Sequence, residues 1–199
     1  MSSSTSNAID PERQRRGRIK ALGIFLVCLA PFVAAYAVYY FWTPQSRMNY
    51  GTVLELAPLP AVLGTKPDGA PLAAADLRGK WVLLHVDSGA CAERCQRKLY
   101  NMRQVRLAQG KNQDRVERAW LVVDDVPLSG ADPRLYEGVL VARVPGARAL
   151  ASLPAADDVR DHVYLVDPLG NVMLRFPKDA EPARMLKDLQ RLLKVSQIG

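Results

Sequence analysis

Histidine and cysteine are scarce in this chain of 199 residues, with two of the first and three of the second. Metal or redox chemistry must therefore be sought at a handful of positions. No internal repeat or low-complexity block follows Trp42, which excludes a solenoid or a long disordered tail as the main architecture. Charge of one sign is not concentrated in the body of the chain either. Five basic and two acidic residues precede residue 21, and 22 basic and 18 acidic residues follow from Arg47 onward. That spread is too even for a dedicated nucleic-acid surface. The length fits one domain plus an accessory segment, and an apolar share of 49% is enough for a sizeable core.

One absence is local. From Ala21 to Trp42 the chain carries no charge for 22 residues, ALGIFLVCLAPFVAAYAVYYFW. About 20 such residues in a helix cross the hydrocarbon of a bilayer, because the helix bonds its own backbone internally. Tyr36, Tyr39, Tyr40, Phe41 and Trp42 crowd the far end, where amphipathic rings favour the headgroup level. The basic cluster Arg13, Arg15, Arg16, Arg18 and Lys20 sits at the near end, so the positive-inside rule predicts a cytoplasmic tail over 1–20. Ala35-Tyr36-Ala37 loosely resembles a signal-peptidase site, but the apolar run continues past it, which favours an uncleaved anchor. Asp10 and Glu12 argue against a mitochondrial transit peptide. The expectation is a bacterial inner-membrane protein anchored by 21–42, with Cys28 as a small apolar filler in the span, a polar linker over 43–52 and a periplasmic domain over 53–199.

In that domain, residues 55–80 are rich in Pro and Gly and read as loops with a short hairpin. Trp81-Val-Leu-Leu-His-Val86 and Ala119-Trp-Leu-Val-Val123 read as buried strands. Between them, 92–109 reads as a helix stopped by Gly110. A short helix is predicted over 132–138 and a short third strand over 147–150. His162–Val166 and Val172–Phe176 flank Asp167-Pro-Leu-Gly-Asn171 as a hairpin, and Glu181–Val195 is an amphipathic helix. Strand, helix, strand, helix, hairpin, helix is the α/β order of the thioredoxin fold, with a central mixed sheet and flanking helices.

Two of the three cysteines stand in Cys91-Ala-Glu-Arg-Cys95, where the first core strand meets the first helix. A helix start lowers thiol pKa, and Arg94, Arg97 and Lys98 add positive charge nearby. Two thiolates suit Cu(I) and are also redox nucleophiles, while an oxidising compartment favours a disulfide. Metal binding with redox chemistry, thiol–disulfide exchange alone, and a structural disulfide in a non-catalytic assembly scaffold all stay open. Exchange enzymes of this fold place a cis-proline before the last hairpin; Arg160-Asp161-His162-Val163 holds none, which shifts weight toward metal. His85 lies within a buried strand and reads as a core histidine. Asp124 and Asp125 end the second strand and read as a solvated pair, with one able to orient a ligand from behind. The row Arg94, Arg97, Lys98, Arg103, Arg106 and Lys111 makes the helix basic and reads as a solvated face.

Gly79-Lys-Trp-Val-Leu-Leu84, a short loop, Cys-x-x-x-Cys opening a helix, and Asp161-His162 before Tyr164-Leu-Val-Asp-Pro-Leu-Gly170 resemble the Sco family. Its members are membrane-anchored, thioredoxin-like copper chaperones of cytochrome c oxidase assembly. The resemblance implies copper at Cys91 and Cys95, which would also form the redox pair, with His162 as a candidate nitrogen ligand. It further implies an oxidase subunit or another assembly factor as partner. The chain departs from the family at Ala92 and Gln96, where prolines usually follow the cysteines. The family's liganding histidine aligns near Val159, three residues before His162. The chain is thus similar to a divergent relative of the family.

Overall fold

The computed structural model describes residues 11–41, 49–128, 132–144, 146, 150–151, 153–155, 157–196 and 198. They form two units, 1–47 and 48–199. In the first, helix α1 runs Pro11–Phe41 with Pro31 inside it. Its stretch Arg15–Tyr40 has a mean hydropathy of 2.3, with none of it buried within the protein. At about 1.5 Å per residue this helix is long and apolar enough to cross a membrane. Tyr36, Tyr39 and Tyr40 pack ring on ring near its end. Trp42 and most of the expected linker lie outside the described residues.

The second unit is built on one mixed sheet. Its strands are β1 (Thr52–Pro58), β2 (Val62–Thr65), β3 (Pro71–Ala73), β4 (Trp81–Asp87), β5 (Val116–Val122), β6 (Leu140–Arg143), β7 (Val163–Val166) and β8 (Asn171–Arg175). Their spatial order is β1-β8-β7-β4-β5-β6-β2-β3. β4, β5 and β6 run parallel, and β7 lies antiparallel on the other side of β4. Helix α2 (Glu93–Leu107) connects β4 to β5, α3 (Pro133–Tyr136) precedes β6, and α4 (Pro182–Val195) closes the unit. Both long helices fall within a residue or two of their predicted bounds.

The third parallel strand is β6, not 147–150; of the latter only Leu150 is among the described residues. β6 is half-buried and only four residues long, so it offers little periodicity to read. The Pro- and Gly-rich stretch holds β2 and β3 as a hairpin, as expected, but β1 adds an edge strand to β8. Most β1 side chains are exposed, which is why no apolar alternation marks it.

Alternation along β4 sorts the core. Val82, Leu84 and Val86 pack with Ala119, Leu121, Tyr164 and Val166 on one face of the sheet. Trp81 and Leu83 face the other way, with Val163, Leu165, Leu174 and Phe176, against Met102 and Val105 of α2 and Met185, Leu189 and Leu193 of α4. Each fully buried Leu, Val or Phe contributes about 1.5–3 kcal/mol. The result positions the end of β4 beneath the start of α2.

A buried cystine over a buried histidine

Between β4 and α2 the chain makes a tight turn. The Cys91 N–H donates to the Ser88 carbonyl at 3.1 Å, and the Ala90 N–H to the Ser88 hydroxyl at 3.1 Å. The Gly89 N–H donates to Asp124 Oδ1 at 2.9 Å. A Cβ at Gly89 would lie 2.1 Å from the Val126 carbonyl oxygen, so the turn can approach this loop only as glycine. Cys91 itself holds φ at 40°, a left-handed conformation costing about 1–2 kcal/mol for a residue with a Cβ.

Cys91 and Cys95 form a disulfide with Cα atoms 5.0 Å apart. They are not two points on one helix face, as their spacing suggests. Ala92 is the N-cap, so Cys91 lies before the helix and Cys95 within its first turn. The turn, not helical periodicity, brings the sulfurs together. Gln96 Nε2 donates to the Cys91 carbonyl at 3.2 Å and fixes the approach. Both cysteines are buried, at 0% and 1% exposure, with Leu99, Trp120 and Val122 and under Leu128, Leu135 and Tyr136.

His85 and Asp87 share the β4 face that looks at α2. His85 is fully buried, and neither ring nitrogen has a hydrogen-bond partner. Its ring lies nearly parallel to that of Trp120, at 6.1 Å and 21°. Burial first, and the charge of Lys98 second, push its pKa well below 6.5, so the imidazole is neutral. One ligand atom each from His85, Asp87 and Cys95 lie within 4.8 Å of one another.

Lys98, read as part of a solvated face, instead turns inward at 7% exposure. Its ammonium donates to Asp87 Oδ2 at 2.9 Å and to the Arg160 carbonyl. Burial lowers its pKa, against the opposing pull of Asp87. The rest of the basic row is largely engaged: Arg94 pairs with Asp161, Arg97 with Glu93, and Arg106 with the Val116 carbonyl.

His162 is placed elsewhere. Its Nδ1 lies 2.9 Å from the Phe176 carbonyl and must donate to it, while Nε2 is buried and unpartnered. The ring packs edge-on against Tyr164. His162 stands at the end of the 3-10 turn Val159–Asp161, one residue before β7. It does not join the group formed by His85, Asp87 and Cys95.

Asp124 serves the turn. Burial works against its ionisation, but hydrogen bonds from Ser88, Gly89 and Val126, with Arg143, outweigh that and hold its pKa below 3.8. Asp125 is exposed beside Arg143. A cavity of about 250 Å³ opens beside Cys95, lined by Asp87, Arg94, Arg160 and Asp161 among others. His85 is buried, as expected of a core histidine, whereas Lys98, read as solvated, and Asp87, not singled out, are the residues beside Cys95 that sequence reasoning missed. The missing signal is alternation, which an apolar strand buried on both faces does not show.

The fold and the cystine define a thioredoxin-like domain with a Cys-x-x-x-Cys pair at its first helix, preceded by one apolar helix of membrane-spanning length. The chain belongs to a family of this build: the transmembrane-like, thioredoxin-like C-terminal domain matches residues 81–196. The transmembrane-like N-terminal domain matches 11–42. Among solved structures the chain is similar to copper-bound yeast Sco1, at 12% identity and TM-score 0.55, over 73% of this chain and 93% of that one. It is similar to apo Sco1 from Thermus thermophilus, at 20% and 0.55, over 74% and 99%. A third likeness is to the thioredoxin domain of a thiol-disulfide oxidoreductase from Bacteroides vulgatus, at 15% and 0.50, over 70% and 98%. At these identities the likeness is one of fold. No curated protein matches the sequence.

Proposed function

We propose that this protein is a membrane-anchored, thioredoxin-like assembly factor that handles copper for cytochrome c oxidase through Cys91 and Cys95. The observation that carries this reading is a buried disulfide whose Cys95 sulfur lies within 4.8 Å of a buried imidazole with no hydrogen-bond partner. The copper-bound state of yeast Sco1, a structure of the same fold, supports it.

Copper here is cargo. The disulfide must first accept two electrons and two protons from a dithiol reductant, which breaks the S–S bond and yields two thiols. Their loss of protons then gives soft thiolates matched to Cu(I). The residues that would hold the ion are Cys91 and Cys95, with a histidine nitrogen. Lys98 and Asp87 sustain a charged, hydrogen-bonded floor beside Cys95. In this reading 1–20 is a cytoplasmic tail, 21–42 the anchor, 43–52 a linker and 53–199 a periplasmic domain at a bacterial inner membrane. The partner is an oxidase subunit or another assembly factor.

A second reading, thiol–disulfide exchange on a partner's cysteines, is favoured by the cavity that reaches Cys95. The two separate cleanly. The full chain in detergent, reduced and freed of reductant, is titrated with Cu(I) against a colorimetric chelator. One tightly held copper per chain, lost when either cysteine becomes Ala, is the expected result. Uptake that survives removal of both cysteines sinks the copper reading. No uptake, with turnover in a disulfide-exchange assay, establishes the second.

A further inference from the structure

We propose that His85, and not His162, is the nitrogen ligand of the ion held by Cys91 and Cys95. The inference rests on the copper reading above and names the third donor of that site.

Three observations carry it. First, a buried polar group without a partner costs about 1–3 kcal/mol, and His85 leaves two ring nitrogens in that state at 0% exposure. An apolar ring would fill the space against Trp120 without that cost, so the fold gains nothing from the imidazole as such. Second, His85 lies in the one group of three potential donors found among the described residues, and Cys95 is the sulfur in it. Third, His162 is not among the donors that gather there.

Asp87, the remaining member of the group, is left out of the donor set. Its Oδ1 accepts the Ser88 N–H at 2.9 Å, and its Oδ2 accepts Lys98 at 2.9 Å, so both oxygens already have partners. Oδ2 lies 3.9 Å from His85 Nε2. That is too long for a hydrogen bond, so Asp87 neighbours the ring without holding it. Reduction of the disulfide by a dithiol consumes two electrons and two protons; Cu(I) then replaces the two thiol protons, which pass to solvent. The donor set is two sulfurs and one imidazole nitrogen.

Because the chain has only two histidines, substituting each in turn assigns the nitrogen. The full-length, untagged chain in detergent is reduced, loaded with Cu(II), and examined by pulsed electron paramagnetic resonance for imidazole nitrogen. The signal is expected in the wild type and, undiminished, in His162→Gln. In His85→Phe it disappears, and affinity for copper falls at least about tenfold. A signal lost in His162→Gln and kept in His85→Phe overturns the assignment. Copper bound by wild type through its two sulfurs with no imidazole signal also overturns it and leaves the copper reading standing. Wild type that takes up no copper overturns the copper reading itself.

Discussion

The two histidines are one residue type in two different situations. Each is buried and each has an unpartnered ring nitrogen, yet one has its Nδ1–H bonded to a carbonyl and the other has nothing. Asp124 shows a similar gap between type and role. A strand-end aspartate is ordinarily solvated, but this one gathers the N–H groups of Gly89 and Val126 and anchors the turn that carries Cys91. Its pKa in the folded chain lies below 3.8, so ionised Asp124 contributes stability above pH 3.8 that is lost as pH falls through the folded value. Asp124→Asn should therefore be less stable than wild type at neutral pH. The gap should close below pH 3.8. Urea midpoints across a pH series check this, and a gap that stays constant would refute the role.

Among the elements, the 88–92 turn is the one whose backbone the site depends on. Gly89 touches the 124–126 loop so closely that even a methyl group meets backbone atoms, Val126 O at 2.1 Å and its carbonyl carbon at 3.0 Å. Neither loop can yield without losing the Gly89–Asp124 bond. Gly89→Ala should cost about 1–3 kcal/mol, the range for forced overpacking. It should also raise the exposure of Cys95. Denaturant unfolding measures the first, and the rate of disulfide reduction by a small phosphine measures the second. β4, β5, the β7–β8 hairpin, α2 and α4 were all legible in the sequence, because continuous apolar runs, turn residues and an amphipathic stripe are local signals. β1 and β6 were not, since an exposed edge strand and a four-residue strand lack them.

At the scale of the whole molecule, the core, the cystine and all eight strands belong to the unit 48–199. Every buried apolar cluster among the described residues is drawn from it. Residues 48–199 expressed alone should then be soluble and unfold in one cooperative transition, with near-ultraviolet circular dichroism showing Trp81 and Trp120 in fixed surroundings. The full chain should instead require detergent, since α1 carries its apolar residues exposed. A non-cooperative 48–199 would mean that the first unit completes the core.

The sequence by itself determined the membrane-spanning helix, the thioredoxin-like order of elements and the place of the cysteine pair. Each depends on composition or periodicity within a short stretch. Tertiary structure alone decided which histidine stands under Cys95. β4 is buried on both faces, so its apolar run has no alternation to show which way His85 points. The facing is set by register, with His85 opposite Trp120 in β5 and Val163 in β7. His162 lies 67 residues beyond Cys95 and stands outside that ladder, one residue before β7, where the chain's path and not its local pattern places it.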